Sequence, residues 1–131
     1  MAAARETDAT LVKPLEGAIV RRYTAGSTIE AGEAVAMAAD GYVDPADASD
    51  ATLAFTLGIA LQDVSAGERV DVVVFGPLLC MTGATIGAAI YLSDTAGEFA
   101  ETQGTEFSIV GVAESATVLF VRPQVAANTL S

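Results

Sequence analysis

Six glycines constrain this chain more than any other feature. Gly32 and Gly87, Gly41 and Gly97, and Gly58 and Gly111 pair off at a nearly constant offset of roughly fifty-five residues, the kind of spacing that marks an internal repeat. The residues around them repeat as well. Residues 28–37 lead to an Asp40-Gly41 turn, then to Leu57-Gly58-Ile59-Ala60 and a valine-rich run at 70–74. Residues 85–92 lead to Ala96-Gly97, then to Val110-Gly111-Val112-Ala113 and the apolar run 118–121. The glycines are spread one per turn or strand, so they serve the backbone, through positive φ or close strand approach. Two copies are too few for a solenoid. They predict one β domain built from two related halves.

Short runs rich in valine, isoleucine and aromatic residues, separated by Gly, Asp and Pro, follow one another without a convincing amphipathic helix. Strands are predicted at 18–23, 33–37, from Tyr42, at 53–61, 69–75, 78–81, 88–92, 98–102, 107–113 and 117–121. Asp40-Gly41 suits a two-residue hairpin, because both central positions of a type I′ turn need positive φ. Gly76-Pro77 is expected to end the strand 69–75, and a short helix is allowed within 44–54. About nine to eleven strands with turn signals every 8–12 residues predict an all-β barrel or sandwich.

Charge and residue types exclude much chemistry. Seventeen acids against six bases give a net charge of −11, and the only adjacent bases are Arg21-Arg22. Such a chain repels phosphate backbones, so nucleic acid is not an expected partner. No apolar run nears the ~20 residues of a membrane span, and the first residues lack the apolar centre of a secretion signal. A soluble protein that does not contact membrane is expected. Histidine is absent, which removes Ser-His-Asp and Cys-His catalysis and imidazole metal ligands together. Cys80, the single cysteine, lies among Leu78, Leu79 and Met81 and reads as a small buried apolar residue. The only lysine, Lys13, is far from any hairpin tip, so a lipoyl- or biotin-type carrier is excluded. Asp44, Asp47 and Asp50 lack the spacing of an EF-hand loop and read as a solvated loop. No catalytic residue, cofactor site or metal site is expected. A carboxylate-dependent hydrolase is the weakest of the functional alternatives.

Residues 1–17 show no sustained alternation, and Pro14 holds Lys13 extended. They are expected to form a flexible N-terminal arm, followed by the β domain at 18–123 and a patternless tail at 124–131. Leu11, Val12, Lys13, Pro14 and Leu15 are the arm's candidate binding residues, with the leucines and valine as anchors. Removing residues 1–16 is expected to leave the fold intact.

Four ordered segments carry a family resemblance. They are Ile29-Glu30-Ala31-Gly32-Glu33-Ala34-Val35, Leu57-Gly58-Ile59-Ala60-Leu61 with Ser65-Ala66-Gly67-Glu68-Arg69-Val70-Asp71-Val72, Gly87-Ala88-Ala89-Ile90-Tyr91-Leu92-Ser93-Asp94-Thr95-Ala96-Gly97, and Ile109-Val110-Gly111-Val112-Ala113. Together they resemble the small head-decoration, or capsid cement, proteins of tailed bacteriophages. The resemblance implies a compact, β-tulip-like barrel or sandwich of two halves. It further implies a homotrimer at three-fold or quasi-three-fold sites on the outer head surface, assembled in the host cytoplasm. The major capsid protein is the implied partner, reached in part by an ordering N-terminal arm. The alternative is another virion or tail-associated β module, such as a fibre or spike adaptor or an adhesion domain.

Overall fold

The computed structural model describes residues 3–124. In chain order the elements are β1 (Ala4–Arg5), a 3-10 turn (Ala9–Leu11), β2 (Lys13–Pro14), β3 (Ile19–Thr24), β4 (Ala34–Met37), β5 (Val43–Pro45), β6 (Thr56–Ala60), β7 (Arg69–Leu79), β8 (Met81–Thr82), β9 (Ala89–Leu92), β10 (Phe99–Ala100), β11 (Ile109–Ala113) and β12 (Val118–Gln124). The protein is all-β, with a curled antiparallel sheet forming a half-barrel. Among the described residues no helix is long and apolar enough to cross a membrane. The segment 44–54 forms no helix: Asp47 and Asp50 each accept the backbone N–H two residues on, at 2.8 and 3.0 Å, and these local bonds favour turns over helix.

Strand order carries the repeat into three dimensions. The main path runs β10-β9-β11-β12-β7-β6-β4-β5. Read outward from its centre, β12-β11-β9-β10 mirrors β7-β6-β4-β5. The backbone bonds match too. Gly32 N–H donates to the Ala60 carbonyl and Gly87 N–H to the Ala113 carbonyl, both at 2.8 Å. Ala60 and Ala113 then return the bond to Glu33 and Ala88, at 2.9 and 3.0 Å. Gly32, Gly41, Gly87 and Gly97 all have positive φ, between 79° and 91°. Gly58 and Gly111 play the other glycine role: each lies at a register slip, between β4 and β6 and between β9 and β11. A side chain there would run into the Val73 and Phe120 carbonyls respectively.

Two apolar cores result. The smaller one holds Ala25, Ile29, Val35, Val43, Ala60, Val70 and Val72 inside the first half. Their partners by repeat position, Ala84, Ile90, Phe99 and Ala113 among them, lie in the larger core with Leu78, Met81, Leu92, Val110, Leu119 and Val121. The larger core also takes Ala34, Ala36, Ile59 and Val73. The middle of β7 is therefore buried on both faces, Val72 toward one core and Val73 toward the other, which explains its unbroken valine run.

Two expectations need correcting. Gly76-Pro77 does not end a strand, and β7 continues through it to Leu79. Gly76 turns the chain at φ 111°, with Ala18 Cα 2.7 Å from where a side chain would begin. Pro77 keeps its carbonyl in use, accepting the Leu15 N–H at 3.0 Å. The N-terminal segment is not a free arm either. β1 pairs with β8, β2 pairs with the end of β7, and Ala3, Arg5 and Val12 are buried. Pieces this short bury one residue at most, so they leave no alternating pattern to read. Removing residues 1–16 would strip that packing away and is not a neutral truncation. The tail, apart from Gln124 at the end of β12, and residues 1–2 lie outside the described residues.

Candidate binding surface

The five arm residues lie against the domain rather than projecting from it, residues 13–15 along β7 and Leu11 and Val12 at the turn before them. Asp8 starts the turn by accepting the Thr10 N–H at 3.0 Å and its hydroxyl at 2.7 Å, and these bonds hold its carboxyl below the usual range. The turn separates the side chains: Val12 is 6% exposed and joins the larger core, while Leu11 is 46% exposed. Lys13 and Pro14 pair with Leu79 and Leu78. Leu15 follows, exposed. Of the proposed anchors, Leu11 and Leu15 face outward and Val12 holds the segment down.

What holds the segment's other end has no counterpart in the sequence reading. Arg5 is buried where the two halves meet. Its Nε donates to Glu98 at 2.6 Å and its Nη2 to Glu30 at 2.8 Å, with Glu33 at 3.9 Å. Its Nη1 reaches the carbonyls of Ala31 and Glu6 at 3.4 Å. Burial works against the guanidinium charge, but the three carboxylates outweigh it and push the Arg5 pKa upward. Glu30 and Glu33 precede β4, whereas Glu98 precedes β10, so one cation ties both halves to the first strand. This cluster was hidden because its members are up to 93 residues apart.

Glu33 is the strained member. The turn at Gly97 lies over it, so close that a side chain on Gly97 would begin 2.6 Å from its carboxylate. Burial raises the Glu33 pKa above its ordinary 4.5, with Glu30 N–H and Arg5 opposing. The folded protein thus holds this proton more tightly than the unfolded chain does. The resulting stability is complete below the ordinary glutamate range and is lost as pH rises through the raised value. Asp71 acts oppositely: bonds from Arg22 and Gln62 hold it below 3.8, so its contribution is lost only as pH falls through that lowered value. Glu33→Gln keeps an oxygen for the Glu30 N–H, now accepted at 3.0 Å, and removes the charge. We expect its urea midpoint to stay flat as pH rises above 4.5, where the native protein loses stability. Parallel pH profiles would refute the assignment.

Elsewhere carboxylates are committed to the fold. An open cleft of about 460 Å³ contains Glu30, Asp63 and Glu68. Glu30 pairs with Arg5, Asp63 accepts the Ala31 N–H at 2.8 Å, and Glu68 accepts the Ser65 N–H at 2.7 Å. In the aspartate loop, Asp44 accepts the Ser27 hydroxyl, and Asp47 and Asp50 hold Ser49 and Thr52. Among the described residues no group of three or more Cys, Asp or Glu is placed to hold a metal. Cys80 is buried in the larger core, and burial pushes its thiol pKa far up.

The outer face of β11, β12, β7 and β3 carries a row that sequence reading did not assemble. Val112 is opposite Phe120, Phe120 is opposite Pro77, and Phe75 is opposite Ile19. Phe75 and Phe120 meet edge to face, centroids 5.2 Å apart. Ile19, Phe75 and Val112 are 52%, 43% and 40% exposed. Lys13, Arg21, Arg22, Arg69 and Arg122, every base except Arg5, are exposed on β2, β3, β7 and β12. The acids lie mainly in the connecting turns. A scan against protein-family models finds no match to this chain, and a search of curated proteins finds none either.

Proposed function

We propose that this chain is a bacteriophage capsid decoration protein, binding the outer face of the mature head as a homotrimer and stabilising it. The observation that carries the reading is the placement of Leu11 and Leu15, exposed on a segment strapped to a two-half β domain. A rigid body that presents apolar side chains beside strand β2 suits clamping of neighbouring subunits, which needs many shallow contacts and no chemistry. Little ordering entropy is lost on attachment, because the segment is already fixed by Arg5, Val12 and the pairing with β7. The segments that resemble the decoration family fall at matching positions of the two halves, which also supports the reading. The partner is the major capsid protein, the location is the virion surface, and the chain is not an enzyme.

Purified protein mixed with expanded, empty heads of a tailed phage should co-sediment with them, and should not co-sediment with immature heads. Absence from both pellets would sink the proposal. Leu11→Asp with Leu15→Asp is expected to lower attachment at least tenfold at an unchanged circular dichroism spectrum. Unchanged attachment would remove these two residues from the contact.

A further inference from the structure

The two halves are built alike, yet they do not bury the same faces. In the first half Ile59 lies opposite Val73, and both are in the larger core. In the second half the corresponding pair is Val112 and Phe120, and neither is in a core: Val112 is exposed and Phe120 half-buried on the outer face. The repeat therefore covers this sheet face once and leaves its second occurrence bare. The bare face does not fade into polar residues. It is extended by Phe75 and Ile19 into a row across four adjacent strands, about 14 Å at ordinary strand spacing. Pro77, Leu79 and Val118 lie half-buried beside it.

Charge narrows what can cover the row. No carboxylate occurs in β3, β11 or β12, and the only one in β7, Asp71, is bound to Arg22 at 2.8 Å. Lys13 and Arg122 lie on strands of this region. A fitting occupant is apolar and acidic together, and this chain owns such a surface. The tip of the β4–β5 hairpin exposes Met37 and Tyr42 beside Asp40, with Asp44 on β5. Two copies meeting row to row would bring like charges together, and the edge of β3 is guarded against self-pairing by Arg21 and Arg22. Row against hairpin tip is attractive in both apolar and charged terms.

We infer that the Val112–Phe120–Phe75–Ile19 row of one copy receives the Met37–Asp40–Tyr42 hairpin tip of a second copy. Such a head-to-tail contact joins unlike surfaces and closes into a ring when its rotation allows. The inference rests on the trimeric part of the proposed function and supplies the surfaces that part lacks.

Sedimentation velocity over a range of concentrations tests it, using native protein, Phe120→Asp and Tyr42→Asp. Val112→Asp serves as a second row variant if Phe120→Asp unfolds. Native protein should self-associate, and each variant alone should associate at least tenfold more weakly. An equimolar mixture of a row variant with Tyr42→Asp should recover a dimer, because one intact row still meets one intact hairpin. Native protein that remains monomeric overturns the inference, as does association untouched by the row variants. A mixture that recovers nothing points to a like-with-like contact and also overturns it. If the native chain is monomeric and Phe120→Asp loses head attachment, the row's occupant is the capsid, not a second copy. An associating chain that ignores phage heads would sink the decoration reading and leave this contact standing.

Discussion

Arg5→Ala should destabilise the protein by about 3–5 kcal/mol, the usual result of stripping the partner from buried charge. The magnitude follows from what is left behind. Glu33, itself 13% exposed, would face Glu30 and Glu98 with no cation between them, and β1 would lose its anchor between the halves. Arg5→Lys should recover only part of the loss, because a single ammonium cannot reach Glu98 and Glu30 from two separate nitrogens. The deficit should also depend on pH. Without Arg5 the Glu33 pKa rises further, so protonation relieves more of the strain, and the variant should lose less at pH 5 than at pH 8. Urea midpoints at the two pH values check both claims. An Arg5→Ala deficit below about 1 kcal/mol, the range of exposed ion pairs, would show that water reaches the cluster and that the segment is not held by it.

The contrast between the Arg5 cluster and the glycine repeat shows what a sequence of this kind displays. Gly32, Gly58, Gly87 and Gly111 are imposed by backbone geometry that no other residue satisfies cheaply, so their spacing records the strand plan directly. Valine runs add the strands, and Asp40-Gly41 marks the β4–β5 hairpin, though not as the expected two-residue type I′ turn: only Gly41 has positive φ, and its N–H bonds back to the Ala38 carbonyl in a longer loop. Arg5 is different. Its partners are ordinary surface-type residues in turns, and only the curl of the sheet brings Glu30, Glu33 and Glu98 to one point. Val12 reads as an anchor for a partner, yet it packs into this chain's own larger core, because a three-residue turn reverses adjacent side chains without leaving a period. Phe75 and Phe120 read equally well as core residues. Their place on the outer face depends on a slip in β7: the consecutive Ile19 and Val20 pair with Phe75 and Val73, so the alternation breaks between Val73, which points to the larger core, and Phe75, which points away from it. Strand membership is local and therefore readable, whereas which face of a twice-used sheet gets covered is a long-range outcome.

Gly58→Ala and Gly111→Ala should each cost about 3 kcal/mol, at the upper end of ordinary overpacking. Neither glycine has positive φ, so the penalty is one of space: the added carbon meets the Val73 or Phe120 backbone, which cannot swing aside as a side chain could. Gly41→Ala isolates the other glycine role. It has φ +87° with nothing within 4 Å of a new side chain, and should cost only the ~1–2 kcal/mol of a left-handed residue. Denaturant midpoints for the three variants should therefore fall into two classes, with the bulge glycines alike and Gly41 milder. Equal losses at all three would mean that the bulges relax and that the repeat reflects turn chemistry alone. The two bulge variants should then part company in self-association. Gly111 adjoins Val112 and presses on Phe120, so its replacement displaces the exposed row. Gly58 presses on Val73, inside the larger core. At matched stability, Gly111→Ala should weaken association and Gly58→Ala should not, since the same structural device supports a buried face in one half and an open face in the other.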